Sequence, residues 1–578
     1  MTHSRWQLAP SYNGQSFIQG DGSSPLLTQL LYNRGITEAS QAETFLAADE
    51  RLTHDPYLLP DMGKAVSRTY QALLRGEKIA VYGDFDADGI TASAITVGGL
   101  KALGGDPVLY IPHRLNEGHG LHASALEQLR RDGVSLVITV DCGVTGYEEV
   151  AQAQKAGQDI IVTDHHRLTV ETGSPGVIGK PLLPPALAVV NPHRPGSAYP
   201  FAELAGVGVA YKFLQALMGG MGRGKETEQY LDLVALGTVA DMVILQGDNR
   251  YMVRRGLEII NKHCERPGLK ELLRQAGLAP GNVDAEGISY NLSPRLNAAG
   301  RIDHAMLSYR LLTSSSDEEI QELACRLEQC NDERQKLTTE IFSKAKEIAR
   351  AQGEDTPIII VEGENFWSGV TGIVAGRLVQ EFSRPAIVVE WGPETCRGSA
   401  RSIAEFDIIA ALQGCAGMLE KFGGHPQAAG FSVPTNLMPE LRKRLTDMAR
   451  QKLEGVDLRP QLLIDMELPL GVLDGQVYPQ LQKLAPFGKG NPTPTFLSRN
   501  TQVVDCRRVG KQGEHLRLKL KAPISGGQIW QAVGFDLGHL TDETAPTSID
   551  VAYQLGVDNW QGRSRLELRV VDFVPFMG

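Results

Sequence analysis

Paired cysteines are missing from this chain. None of its seven cysteines falls in a CxxC pair, so neither a disulfide framework nor a zinc knuckle is expected, and the cytoplasm, a reducing compartment, is the expected location. Long apolar runs are missing too. No uninterrupted stretch approaches about 18 residues, and the opening MTHSRWQLAP has no apolar signal core, so neither export nor membrane spanning is expected. Basic charge is not in excess: 57 Lys+Arg stand against 68 Asp+Glu, a net charge of −11. That balance weighs against a protein that coats nucleic acid, and such a substrate would have to meet a local basic groove or a bound metal. There is no internal repeat and no low-complexity tract. What is present is ordinary globular composition, 42% hydrophobic over 578 residues, enough for about three to five domains.

From about residue 64 to 165, strand-like and helix-like runs alternate. KIAVYG (78–83) precedes a helix through ITASAITVGGLKAL, followed by VLYIP, SLVITVDCG (135–143) and DIIVTDHH (159–166). This is parallel α/β texture. Ligands of open α/β sheets bind beyond the carboxyl ends of the strands, where Asp84, Asp86, Asp141, Asp164 and His165 all fall. YLDLVALGTVADMV (230–243) brings Asp241 to the end of an apolar segment, where a carboxylate needs a partner. A charged, helix-favouring stretch over 316–352 reads as one long connecting helix, and TPIIIVEG, VTGIVAGRLVQEF, PAIVVEW and KFGGHPQAAGFSV as a second, smaller α/β unit. The last 120 or so residues alternate in strand period, for example HLRLKLKA (515–522) and RLELRVVDFV (565–574), and suggest a small antiparallel barrel.

The acidic cluster YGDFDADG (82–89) matches the first half of an EF-hand loop. The twelfth position, which needs a bidentate Glu, is Ile95, and the segment follows a strand rather than a helix, so a calcium loop is rejected. A polar turn would explain one or two aspartates, hardly three at i, i+2 and i+4. Carboxylates and imidazoles at successive strand ends instead suit hard divalent cations aimed at a phosphate.

The ordered set YGDFDADG, ITVDCG, VTDHH and LGTVAD resembles the four motifs of the DHH-superfamily phosphoesterases, specifically the RecJ family. PHRLNEGHGL (112–121), LAGVGVAYK (204–212), SPRLNAAGRID (293–303), GSARSI (398–403), KFGGHPQAAG (421–430) and LAPFGKGNPTPTF (484–496) extend the likeness over nearly the whole chain. It implies an N-terminal segment (1–55) packed on the catalytic core, a DHH domain (56–315), the connecting helix (316–352), a DHHA1-type domain (353–455) and an OB-like domain (456–578). It also implies Asp84, Asp86, Asp141, His165 and Asp241 as ligands of two Mn2+ or Mg2+ ions, with Asp141 as the bridge. Asp88, Asp164 and His166 would surround the ligands or face substrate. Such ions lower the pKa of a bound water toward about 7 and clamp the phosphodiester.

Arg114, Arg295, Arg301 and Arg401 sit in stretches that read as Gly- or Pro-bounded loops, where a guanidinium can fork onto phosphate; the plain alternative is a surface ion pair. By resemblance, Ser399 and Arg401 would hold a terminal 5′ phosphate, and Arg114 with Arg295 or Arg301 the backbone near the cut. His425, beside glycines that let backbone approach a ligand, reads as a further phosphate contact, with a buried structural His as the alternative; Asn297 and His119 complete the implied substrate set. Cys142 reads as packing, since no base is at hand to activate it. Arg517, Lys519 and Lys521 share one sheet face that either tracks a strand's backbone or is merely solvated, and Trp560 is a stacking candidate.

Three features depart from the family pattern. Ala80 stands where phosphatase branches have a His, His119 where EGYG has an aromatic, and Phe366, Trp367, Ser368, Gly369 where WHxG is usual. The first points away from a pyrophosphatase. The activity implied is a 5′-to-3′ exonuclease for single-stranded DNA in repair and recombination, with a single-strand-binding protein or helicase as partner. A phosphodiesterase for short oligoribonucleotides or cyclic dinucleotides, and a replication scaffold without catalysis, are the alternatives.

Overall fold

The structure, a computed structural model, describes residues 4–14, 16–18, 24–169, 181–353, 355–523, 527–540, 546–558 and 565–576. Trp560 lies outside the described residues. The chain divides into two compact units, residues 53–456 and residues 1–52 together with 457–578.

The larger unit is built on two sheets. The first has five parallel strands in the order Val108–Tyr110, Lys78–Gly83, Val134–Val140, Asp159–Thr163, Ala188–Val190. Strand order reverses between Lys78–Gly83 and Val134–Val140: the strand after the first of these lies to one side, and later strands lie to the other. This is a topological switch point, where the connecting segments leave in opposite directions and open a crevice. The β-branched runs are buried on both faces, as covered parallel strands require. Helix Ala87–Ala102, which starts from the acidic cluster, is itself buried on nearly every side.

A 35-residue helix, Asp317–Ala351, leads from this sheet to the second. Ser316 Oγ accepts from the Glu319 amide, and Asp317, Glu318 and Glu319 load its first turn with negative charge, which favours the start of a helix. At 1.5 Å per residue it spans about 52 Å. Its apolar stripe, including Ile341 and Ala345, shares a core with helix Ser368–Phe382 and with strands Ile359–Gly363 and Ala386–Glu390. That mixed sheet continues through Thr395–Arg401 and Ala428–Pro434 to Lys421–His425.

In the smaller unit, strands Phe496–Val509, His515–Lys521, Ile529–Gly534, Arg565–Pro575 and Ser548–Asp558 close into a barrel, the last pairing back onto the first. All pairings in the ring are antiparallel except that of Ile529–Gly534 with Arg565–Pro575, which is parallel, so the expectation of a purely antiparallel barrel is corrected at one seam. Leu516, Leu518 and Leu520 point inward, while Arg517, Lys519 and Lys521 lie on the outer face.

The expectation that residues 1–55 pack on the catalytic core is also corrected. Strand Arg5–Leu8 pairs in parallel with Gln461–Ile464, and helix Pro25–Asn33 buries Leu26, Leu27, Leu30 and Leu31 in the core of the barrel unit. The physical reason is an apolar helix face whose complement lies more than 400 residues away in the chain, a pairing that no local pattern announces. Leu30 is fully buried. Leu30→Ala should therefore destabilise the barrel unit by about 2–5 kcal/mol, read as faster hydrogen exchange in strand His515–Lys521 with exchange in Val134–Val140 unchanged.

Candidate metal centre

The crevice at the switch point collects the acidic side chains. Asp84 follows Lys78–Gly83, and Asp86 caps helix Ala87–Ala102, its Oδ1 accepting from the amides of Asp88 (3.0 Å) and Gly89 (3.1 Å). Asp141 follows Val134–Val140 with φ 61°, a left-handed conformation that Asp tolerates better than most residues and that costs strain. Its amide donates to Thr163 O at 3.0 Å, so the strained turn is tied to the neighbouring strand.

The DHH turn is organised by one buried carboxylate. Asp164, 1% exposed, accepts through Oδ1 from the amides of His165 (2.7 Å) and His166 (3.0 Å), and through Oδ2 from the amide of Val144 (2.9 Å). His166 Nδ1 lies 2.8 Å from Oδ1. Burial alone would raise this carboxyl, but the charge and hydrogen bonds of His166 outweigh burial and bring it down to about 2. In return Asp164 overcomes the burial that opposes charge on His166 and pushes its pKa up to about 10. Asp164 thus fixes the turn rather than offering a free oxygen.

His165 is aimed by the backbone: its Nδ1 is 2.9 Å from Leu204 O, which leaves Nε2 pointing at Asp141 Oδ1 (3.2 Å) and Asp241 Oδ2 (3.6 Å). A carbonyl on the far ring nitrogen sets the tautomer and orients the imidazole for a metal. Asp241 ends helix Leu231–Ala240. Asp88 accepts from the amides of Gly206 (2.7 Å) and Val207 (2.8 Å), capping helix Gly206–Gly219. Burial and the nearby charge of Asp241 push its pKa up to about 7.

Three overlapping groups have mutual donor distances within 4.8 Å: Asp84, Asp86 and Asp141; Asp141, His165 and His166; and Asp88, His165 and Asp241. Asp84 Oδ1 and Asp141 Oδ1 are buried without a hydrogen-bond partner. Burial, with Asp88, Asp86 and Asp84 alongside, raises the Asp141 carboxyl well above the usual range. Orphaned buried oxygens in a crowd of like charges are what divalent cations satisfy, and the donor set fits two of them with Asp141 shared.

The candidate phosphate groups separate in the structure. Only Arg114 lies in a loop, its guanidinium 4.8 Å from the centre of the Phe85 ring, and burial lowers its pKa while Asp86 and Asp84 oppose that. Arg295 and Arg301 belong to helix Ser293–Ile302, whose Pro294 suits a first turn, and Arg401 ends strand Thr395–Arg401; the loop expectation is corrected for all three. Arg295 is committed to Glu328 (2.7 and 3.0 Å) and Asn291 O (2.8 Å), the ion-pair alternative. Asn297 Oδ1 accepts from the Ala87 amide at 2.8 Å and steadies the acidic turn. Arg301 Nη1 donates to Gly369 O (2.7 Å) while Trp367 Nε1 donates to Arg301 O (3.3 Å), so FWSG supplies an indole clasp where WHxG has a His. Burial lowers Arg301 strongly, with Arg114, Arg334 and Arg401 adding repulsion.

Ser399 Oγ shares a hydrogen bond with Thr371 Oγ1 at 2.9 Å, and Arg401 Nη1 donates to Ala400 O at 2.9 Å. His425 ends the strand Lys421–His425, its ring parallel to that of His166 (7°) at 6.5 Å between centroids. Burial and the two DHH imidazoles hold its pKa down. Cys142 is buried, with Sγ 3.6 Å from Tyr82 O, and packs.

A parallel sheet with a carboxylate-imidazole crevice, joined by a long helix to a second α/β body bearing arginine and serine, defines a phosphoesterase of the DHH class. Family models agree: the DHH family N-terminal domain matches residues 78–238, the DHHA1 domain 355–453 and the RecJ OB domain 464–572. The chain is 37% identical to the single-stranded-DNA-specific exonuclease RecJ of Bacillus subtilis (strain 168) over 552 residues, 95% of this chain and 68% of that one. It is 33% identical to the RecJ of Dickeya dadantii (strain 3937) over 581 residues, 96% and 97% of the two chains. The crystal structure of RecJ in complex with Mn2+ from Thermus thermophilus superposes with TM-score 0.83 at 30% identity, covering 99% of this chain and 80% of that one. The chain belongs to the RecJ family of exonucleases.

Reading the sequence missed Gly206, which lies within LAGVGVAYK. A methyl group there would overlap Asp141 Oδ1, while the Gly206 amide is bound to Asp88. Gly206→Ala should weaken divalent-cation binding by about 10–100-fold, measured by calorimetry, with an unchanged circular dichroism spectrum.

Proposed function

We propose that this exonuclease degrades single-stranded DNA from its 5′ end, in the cytoplasm, as part of DNA repair and recombination. The observation that carries the reading is the run of three overlapping donor groups at the switch point, with Asp141 common to two of them. Asp84, Asp86, Asp141, His165 and Asp241 would hold two Mn2+ or Mg2+ ions; the Thermus relative is described in complex with Mn2+. When bound, such ions neutralise the phosphodiester and acidify the attacking water.

The chain's own residues then bind and orient. Asp164 fixes the DHH turn, Leu204 O aims His165, and Asp88 anchors the helix whose start adjoins Asp141. Arg114 and Arg301 supply positive charge near Asp86, suited to backbone phosphate close to the cut. Ser399, Arg401 and His425 are the candidates for a terminal 5′ phosphate, which is the basis for the polarity.

Single-strand preference follows from width. The rings of His166 and His425 are 6.5 Å apart, and the Arg301–Gly369 and Trp367–Arg301 hydrogen bonds join the two α/β bodies, which supports a cleft that admits one strand more readily than a duplex. The outer basic face of Arg517, Lys519 and Lys521 would offer a further hold on the strand's backbone, the strand being delivered by a single-strand-binding protein or a helicase. A phosphodiesterase for dinucleotides would have no use for that barrel.

Asp141→Ala should lower the rate more than about 100-fold, beyond what a supporting partner of a ligand costs, with the fold retained. On strands labelled at one end, Mn2+-dependent release of mononucleotide from the 5′ end is expected. Release from the 3′ end would refute the polarity, and equal rates on blunt duplex and single strand would refute the width argument.

A further inference from the structure

The loop after strand Val108–Tyr110 brings an imidazole to the acidic side of the crevice. His119 stands between Gly118 and Gly120, both left-handed (φ 88° and 89°), with open space where side chains would be. Its ring rests on Phe85 at 4.2 Å, and Nδ1 lies 3.3 Å from Asp84 Oδ2. The imidazole is 68% exposed and the carboxylate only 6%. The other Asp84 oxygen is buried with no hydrogen-bond partner.

An ordinary surface ion pair joins two exposed, mobile groups. Here an exposed ring rests on an aromatic floor so that one nitrogen meets a buried, half-satisfied carboxylate. Two donors bound cis to one six-coordinate cation, each about 2.0–2.1 Å from it, lie about 3 Å apart. His119 and Asp84 fit that spacing, as do His165 Nε2 and Asp141 Oδ1 at 3.2 Å. The two halves of the crevice also differ in composition. Asp141 and Asp241 share His165, whereas Asp84, Asp86 and Asp141 form a group with no imidazole, and Ala80, four residues before Asp84, can offer none.

We propose that His119 is a metal ligand through Nδ1, completing the site of Asp84, Asp86 and Asp141 so that each of the two cations has one imidazole. The proposal rests on the two-cation reading above. A neutral imidazole adds a donor without adding to a site already carrying three carboxylates. It also favours transition ions over Mg2+, which prefers oxygen.

Calorimetric titration of the full chain with MnCl2 and with MgCl2 tests this on wild type, His119→Phe, His119→Ala and Asp141→Ala. Both His119 variants should bind one Mn2+ as wild type does and the second at least about tenfold more weakly, with a smaller change for Mg2+. Phe keeps the ring packing, so a loss shared by Phe and Ala assigns the effect to the nitrogen. Wild-type affinity for both Mn2+ ions in His119→Phe overturns the proposal. Asp141→Ala separates the two levels: if it weakens both ions while His119→Phe weakens neither, only the role of His119 falls. If Asp141→Ala leaves both unchanged, the two-cation reading falls and the proposal with it.

Discussion

Mutual repulsion among buried carboxylates governs this molecule. Asp84, Asp88 and Asp141 are each 5% exposed or less and crowd one crevice, a cost that packing alone does not recover. The surrounding fold answers that charge piece by piece. Asp86 and Asp88 are met by backbone amides at helix starts, and Asp164 by amides and His166. What is left over is the pair of oxygens on Asp84 and Asp141 that no protein group satisfies. Stability has been given up where a cation is wanted.

Much of this was legible in the sequence, because the residues concerned advertise themselves. Strands such as VSLVITV are short β-branched runs, and the residue types at their carboxyl ends are costly anywhere except a site. Asp84, Asp86, Asp141, His165 and Asp241, all implied as ligands, lie at successive element ends in one crevice. What was not legible depends on partners distant in the chain or on backbone atoms. Leu204 contributes a carbonyl, which every residue has. Gly206 matters because of what it lacks beside Asp141. Arg295 looked like a phosphate ligand until Glu328, 33 residues on, took up its guanidinium.

The second α/β body is tied to the first. Its Ser399, Arg401 and His425 stand on a sheet edge and its neighbouring strands rather than on long loops, and helix Ser368–Phe382 is clasped to the helix bearing Arg301. The rings of His166 and His425 face each other at 6.5 Å, and the Arg301–Gly369 hydrogen bond ties the two bodies together.

The order of synthesis is bound up with the barrel. Residues 1–52 belong with residues 457–578, and the larger unit is inserted between them in the chain. At about 5–20 residues per second, roughly 20–90 s pass between the emergence of helix Pro25–Asn33 and that of the strands it packs against. For that interval Leu26, Leu27, Leu30 and Leu31 lack the part of their core contributed by residues 470–573, while the intervening unit can fold around contacts of its own. The newborn chain therefore carries this apolar helix through most of translation without the barrel strands that cover it.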